Sequence, residues 1–220
     1  MNRNIQFVQT AAPRPLANSW FQRKFEHPFF AWAGLRPPIA QHTLEEHEAL
    51  MRYASKAGVV VEIGVAEGAS AAGLRAAMPS DGWLYLIDPF HLSRIPALNF
   101  LKRAARRAVN STGAAQTRWI ESFSQDAIRD WKFRIDFLLI DGDHREEAVE
   151  RDWQDWSPFV NENGVIAFHD ARLFPGGWPT PDYGPVQFVD RFFRTNPVLG
   201  GWGIVEEVDS LVFVSRRDRS

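Results

Sequence analysis

The chain has 220 residues, 45% of them hydrophobic and 24% charged, the proportions of an ordinary globular protein able to bury one sizeable core. Its 25 Lys and Arg against 27 Asp and Glu leave a formal charge of −2, which supplies no concentrated positive field for nucleic acid or an anionic membrane, so a small molecule is the expected partner. The absence of cysteine excludes disulfides, thiolate nucleophiles, Cys-type zinc sites and iron–sulfur clusters, and leaves any metal to oxygen or imidazole ligands.

Residues 1–42 read as an irregular arm. Pro13, Pro15, Pro37 and Pro38 interrupt any long helix, while Trp20, Phe21, Phe25, Phe29, Phe30 and Trp32 offer apolar anchors. No apolar run long enough for a leader or a membrane span occurs here or later, so the protein is expected to be cytoplasmic, and a homo-oligomer is left open. From residue 43 to 220 the pattern is that of one domain. Thr43 and Glu46 form a capping box that opens a helix ending near Ala57. Residues 59–63 (VVVEI) make a first strand, residues 69–78 a helix stopped by Pro79, and residues 83–87 (WLYLI) a second strand. A helix is predicted over 97–109, where Lys102, Arg103, Arg106 and Arg107 read as a solvated face. Strands are predicted at 118–120, 137–140 (FLLI) and 165–168 (VIAF), with a helix over 145–156 before the last of them. Continuously apolar strands alternating with helices predict a doubly wound, Rossmann-like α/β sheet, mostly parallel. After a helix at 185–193, strands at 204–208 and 211–214 are joined only by Asp209 and Ser210. That turn is too short for a crossover, so the sheet is expected to end in an antiparallel hairpin.

Ligands of such sheets bind outside the carboxyl ends of the strands. The first strand runs into Glu62-Ile63-Gly64-Val65-Ala66-Glu67-Gly68, where Gly64 permits a turn and close backbone approach and Gly68 lets the next helix start nearby. The nicotinamide fingerprint places a pyrophosphate on the helix start, but Glu62 and Glu67 would repel one. They suit a ligand bearing an ammonium group and no phosphate, as S-adenosylmethionine does; a turn required only by the fold is the bland alternative. Asp88 closes the second strand at the position where an acid accepts hydrogen bonds from ribose hydroxyls.

Asp141-Gly142-Asp143-His144 ends the fourth strand and His169-Asp170 the fifth. If those strands are neighbours, about 5 Å apart, Asp141 and Asp170 can share one ion, with Mg²⁺ the candidate. His144, beyond the strand, is the candidate base for a substrate hydroxyl. His169 is either a metal ligand or a packed core histidine. The segment 171–184 (ARLFPGGWPTPDYG), with Phe174, Trp178 and Tyr183, is expected to wall an acceptor pocket together with arm aromatics, or else to pack for stability.

The segments VVVEIGVAEGAS, LYLIDPF, IDFLLIDGDHREEAVERDWQDW and NGVIAFHD resemble the strand motifs of class I S-adenosylmethionine-dependent methyltransferases, closest to a small bacterial D-G-D-H branch related to metal-dependent O-methyltransferases of sugars and natural products. The resemblance covers roughly 43–215. It implies a cofactor set of Glu62, Gly64, Glu67, Gly68, Ser70, Asp88, Ser122 and Asp141, with Glu62 and Gly64 at the methionine end, Asp88 at the ribose and 122–124 at the adenine. It further implies His144 and Asp141 as catalytic residues and Asp141, His169 and Asp170 around a metal. His169 is a departure, because metal-dependent relatives commonly carry a second acid there, and a metal-free enzyme with His144 as base stays open. So do a cofactor-binding protein without catalysis and a nucleotide-dependent oxidoreductase, the latter disfavoured by the missing G-x-G-x-x-G.

Overall fold

A computed structural model describes residues 26–90, 99–195 and 201–217. Trp20, Phe21, Phe25 and the predicted helix start at 97–98 lie outside the described residues. Helix α1 (His27–Ala33) precedes α2 (Leu44–Ala54), and the two directions of the capping box are both made: the Thr43 hydroxyl accepts from the Glu46 N–H and the Glu46 carboxylate from the Thr43 N–H. There follow β1 (Val59–Ile63), α3 (Ala69–Ala77), β2 (Trp83–Ile87), α4 (Phe100–Asn110), β3 (Gln116–Ile120) and the single turn α5 (Ser124–Ala127). Strand β4 (Ile135–Ile140), α6 (Glu146–Trp156), β5 (Val160–Phe168), α7 (Gly184–Val189), β6 (Trp202–Val208) and β7 (Leu211–Arg216) come next among the described residues.

One seven-stranded sheet has the order β3-β2-β1-β4-β5-β7-β6. The first five strands are parallel, and β7 runs antiparallel to both β5 and β6, so the parallel sheet and its terminal hairpin are as expected. Successive strand residues point to opposite faces, and both faces are covered. Val61, Ile63, Leu138, Ile140, Ile166 and Phe168 pack against α6 and α7. Val60, Leu84, Leu86, Phe137, Leu139 and Ala167 pack against α2, α3 and α4.

The strand order reverses at β1 and β4, which opens a crevice at their carboxyl ends. The same register decides what stands in it. Ile140 pairs with Phe168, so the residue opposite Asp141 is His169, and Asp170 lies one step further along. By alternation His169 and Glu62 share the α2–α3 side of the sheet.

Two expectations changed on folding. Strand β5 begins at Val160, five residues before the predicted start, because Val160 and Ile135 pair across an irregularity that the interrupted apolar pattern NENG conceals. The basic residues of α4 do not simply face water: Lys102 and Arg106 pair with Glu121 at 2.7 and 2.9 Å, and Arg103 lies over the Trp32 ring. The aromatics Phe29 and Trp32 of α1 both pack against Phe100 of that helix, in line with the packing alternative left open for the arm. Among the described residues no helix is long and apolar enough to cross a membrane.

Candidate functional site

A cleft of about 570 Å³ opens at the carboxyl edge, lined among others by Gly64, Asp88, Phe123, Asp141, His144 and Asp152. A larger groove, about 1380 Å³, lies at the opposite edge around Lys56, Arg134, Asp136 and Arg216. There Asp136 accepts from the Gly58 and Val59 N–H groups and from the Asn161 side-chain amide, an arrangement that fixes strand starts.

Gly64 has φ +89°, and a Cβ there would stand 2.1 Å from the Asp141 carbonyl oxygen. The turn after β1 and the end of β4 therefore touch at the floor of the cleft. Asp88 braces this turn: its Oδ2 accepts from the Val65 and Ala66 N–H groups at 2.9 and 3.2 Å, and its Oδ1 from Phe90 N–H at 2.7 Å. A carboxylate has about four acceptor sites, so capacity for a further donor remains.

Glu62 is fully buried behind Gly64, and the hydroxyl of Ser70, in the first turn of α3, donates to its Oε1. Its Oε2 has no partner. Burial, with the charges of Asp141 and Asp88, pushes its carboxyl well above the usual range despite the Ser70 hydrogen bond. Glu62, Glu67, Gly68, Ser70 and Ser122 do not line the cleft. Glu67 instead accepts from His27 Nδ1 at 2.9 Å and from the Ile39 N–H at 3.1 Å, tying the segment before α2 to the glycine turn.

At the far end of the cleft the two imidazoles and three acids meet. His144 Nε2 is 3.1 Å from Asp170 Oδ2 and 3.8 Å from Asp141 Oδ1. His169 Nδ1 is 3.1 Å from Asp141 Oδ1 and 3.3 Å from Asp170 Oδ1, and its Nε2 lies 3.8 Å from Glu46 Oε2. These are charge contacts off the line of a hydrogen bond. Asp170 has φ +55°, a left-handed conformation that Asp tolerates, and its buried Oδ1 accepts from Trp178 Nε1. Burial opposes charge on His144 and His169. The Asp170 and Asp141 carboxylates outweigh it and hold both imidazoles above their ordinary pKa, His169 far above. Of the 171–184 segment, Trp178 thus reaches the site through Asp170 and the Tyr183 ring lies tilted beside His144, their ring centroids 5.3 Å apart.

Asp152 on α6 was not singled out in the sequence, where it reads as one of several acids in E-E-A-V-E-R-D-W-Q-D-W; it is 5% exposed and accepts from the Ser124 hydroxyl across the cleft. Burial, reinforced by Asp155 and Asp143 against the Ser124 hydrogen bond, pushes it up to about 6. A carboxyl raised above its unfolded value destabilises the fold when ionised, so the penalty is full above about pH 6 and is relieved as pH falls towards the unfolded value. Asp152→Asn keeps an acceptor for Ser124 and removes the charge. It is expected to raise stability by up to about 3 kcal/mol near pH 8 and by progressively less below pH 6, read from urea unfolding across that range.

A seven-stranded sheet in this order, with an acid-braced glycine turn facing a second acidic strand end, defines the class I methyltransferase architecture. A family model described as a methyltransferase domain matches residues 61–171, about half of the chain, and the chain belongs to that family. Solved structures show the same fold. The O-methyltransferase TomG of Streptomyces achromogenes, involved in tomaymycin synthesis and solved with SAM, is 16% identical with a TM-score of 0.63, covering 87% of this chain and 88% of that one. Cofactor-bound Rv0187 from MTB is 16% identical with a TM-score of 0.66 over 88% and 89%. An O-methyltransferase of Bacillus cereus in complex with SAH is 16% identical with a TM-score of 0.58 over 87% and 90%.

Proposed function

We propose that this methyltransferase moves the methyl group of S-adenosylmethionine to a hydroxyl oxygen of a small molecule bound at the His144 end of the cleft. The observation that carries this reading is the acidic wall. Asp88 and Asp141 line the cleft beside one glycine turn, with the unpartnered oxygen of buried Glu62 behind it, a setting that favours a cationic ligand over a pyrophosphate. In this reading the methionine ammonium lies toward Glu62 and Asp141, with Gly64 allowing close approach. The ribose lies at Asp88, and the adenine lies between Phe123 and the Ser124–Asp152 pair. SAM or SAH occupies two of the three structural neighbours described above, and TomG and the Bacillus cereus protein are named O-methyltransferases.

Transfer requires the acceptor oxygen in line with the sulfur–methyl bond and relieved of its proton. With Nε2 turned to Asp170 and Asp141, Nδ1 is the nitrogen of His144 left to take that proton. Asp170, fixed by Trp178, would stabilise the imidazolium so formed. The cofactor, when bound, would supply the methyl group on its sulfonium, while its ammonium would stay charged at the acidic wall in cofactor and product alike. Mg²⁺ prefers oxygen ligands and retained waters. The donors that converge here are two imidazoles and the carboxylates of Asp141 and Asp170, the latter already accepting from Trp178, a set half imidazole that matches Mg²⁺ poorly, so deprotonation is assigned to His144 alone.

Titration calorimetry with S-adenosylmethionine and with NADH, followed by SAH release in a panel of sugar, phenol and hydroxy-acid acceptors, tests the proposal. Binding of S-adenosylmethionine with turnover on a hydroxyl acceptor is expected. Tighter binding of NADH, or cofactor binding with no turnover on any acceptor class, would sink it.

A further inference from the structure

We propose that the groove at the amino edge of the sheet, opposite the methyl-transfer cleft, is a second ligand site that takes a nucleoside di- or triphosphate. The inference stands apart from the proposed methyl transfer. None of the residues that line the groove lines the cleft, and binding there needs neither S-adenosylmethionine nor an acceptor.

Topology concentrates positive charge in this groove. Strands β1, β4 and β5 run parallel and β7 antiparallel to β5, so the segment after α2, the start of β4 and the end of β7 meet around the start of β5. Lys56, Arg134, Arg216 and Arg217 are thereby brought together, although the whole chain carries a formal charge of −2. The acids in the same lining are Asp136 and Glu162. Asp136 is already engaged: its Oδ2 accepts from the Gly58 and Val59 N–H groups, each at 2.9 Å, and its Oδ1 from the Asn161 amide at 2.6 Å. Among the described residues none of the four cations makes an ion pair, whereas Arg52, Arg191 and Arg194 elsewhere on the surface each meet a glutamate. Positive charge without an acid partner, gathered in a concave surface, attracts a ligand that carries several negative charges.

Two of the guanidinium groups are held in place before any ligand arrives. Arg134 Nη1 donates to the Pro158 carbonyl at 2.9 Å, and the Arg216 guanidinium lies over the Trp202 ring, 4.8 Å from its centroid, with Nη2 3.4 Å from the Ser157 carbonyl. A guanidinium has five N–H donors, so each keeps most of them for a ligand, and the planar fork matches phosphate oxygens two at a time. Fixing the forks beforehand lowers the ordering cost of binding. The rest of the lining is of another kind. Tyr53, Ala57, Val160 and Val165 give the groove an apolar part, and the Tyr53 ring is steadied by stacking on Phe213 with centroids 4.6 Å apart. A ligand that satisfies both parts has clustered phosphates at one end and a flat, weakly polar group at the other, which is the build of a nucleoside polyphosphate. Inorganic phosphate would leave the apolar part uncovered.

The experiment titrates the full chain with a fluorescent ATP derivative, reads anisotropy, and competes the probe with ATP, adenosine, inorganic tripolyphosphate, S-adenosylmethionine and a single-stranded RNA oligomer. Expected is one saturable site from which ATP displaces the probe better than adenosine or tripolyphosphate does, which S-adenosylmethionine leaves alone, and whose affinity falls as salt rises. Arg134→Ala and Arg216→Ala should each weaken ATP by about 10–100-fold, the worth of hydrogen bonds to a charged group. Lys56→Glu reverses one exposed charge and should weaken ATP by about 10-fold, which keeps the test decisive if thermal unfolding shows either arginine variant to be misfolded. Absence of saturable binding, or affinity unchanged in Lys56→Glu and in the folded arginine variants, would overturn the proposal. So would displacement by S-adenosylmethionine, which would put the probe in the cleft, equal displacement by adenosine or tripolyphosphate, or preference for the RNA oligomer. NADH also carries a pyrophosphate, and the same variants assign any binding of it: loss in Lys56→Glu places it in the groove, and retention places it in the cleft, where it counts against the methyltransferase reading alone.

Discussion

His144→Ala is expected to lower methyl transfer by about 10²–10⁴-fold, the usual worth of a positioned general base, while affinity for S-adenosylmethionine changes little. The side chain lines the cleft, but the groups around the glycine turn, Glu62, Gly64 and Asp88, do not depend on it. The pH profile should carry the same signature. Because Asp170 and Asp141 hold the imidazole above its ordinary pKa against the opposing effect of burial, the wild-type rate should climb with rising pH through a pKa above 6.5 as His144 loses its proton. Asp170→Asn removes the nearest of those charges, so its limb should move to lower pH with a reduced plateau. An unchanged rate in His144→Ala, or an unmoved limb in Asp170→Asn, would show that another group removes the proton.

Gly64→Ala is expected to abolish cofactor binding at ordinary concentrations and to cost roughly 2–5 kcal/mol of stability, the sum of backbone strain and overpacking. The added methyl would stand 2.1 Å from the Asp141 carbonyl oxygen and 2.6 Å from its carbon, both backbone atoms that cannot swing aside. The left-handed φ of +89° adds a penalty that only glycine escapes. Relief would require β1 and β4 to separate at their carboxyl ends, but the Asp141 N–H donates to the Ile63 carbonyl at 2.9 Å and holds them together. Thermal unfolding and calorimetric titration of the variant measure the two effects. A variant with wild-type stability and affinity would show that the turn is not the constraint described.

Elements whose signal is local were legible in the chain. VVVEI and WLYLI are strands over their full predicted lengths because every residue but Glu62 is apolar, aromatic or β-branched and a glycine or proline stands nearby on either side. The capping box of α2 and the hairpin after β6 follow from contacts within a few residues. The acidic strand ends were legible as well, since a parallel sheet sends all its carboxyl ends to one edge, and Asp88 and Asp141 do line one cleft.

What could not be read was which acids would be covered and by what. Glu67 carries the same charge as Glu62 but is occupied by His27 and Ile39, 40 and 28 residues away. Asp152 becomes a buried acid of the cleft only because α6 packs where Ser124 can reach it. Glu46 reads as a helix cap and nothing else until β5 is placed beside β4 and brings His169 against it.

The sequence by itself determined the α/β class, the parallel order with its terminal hairpin, and an acidic carboxyl edge fit for a cationic ligand, because periodicity, turn chemistry and strand direction are local properties. Tertiary structure decided the one-residue register that sets His169, rather than Asp170, across from Asp141. A single step along a strand reverses the face on which a side chain stands. That step brings two imidazoles between the carboxylates of Asp141 and Asp170, where the linear order alone suggested the pair of carboxylates by itself.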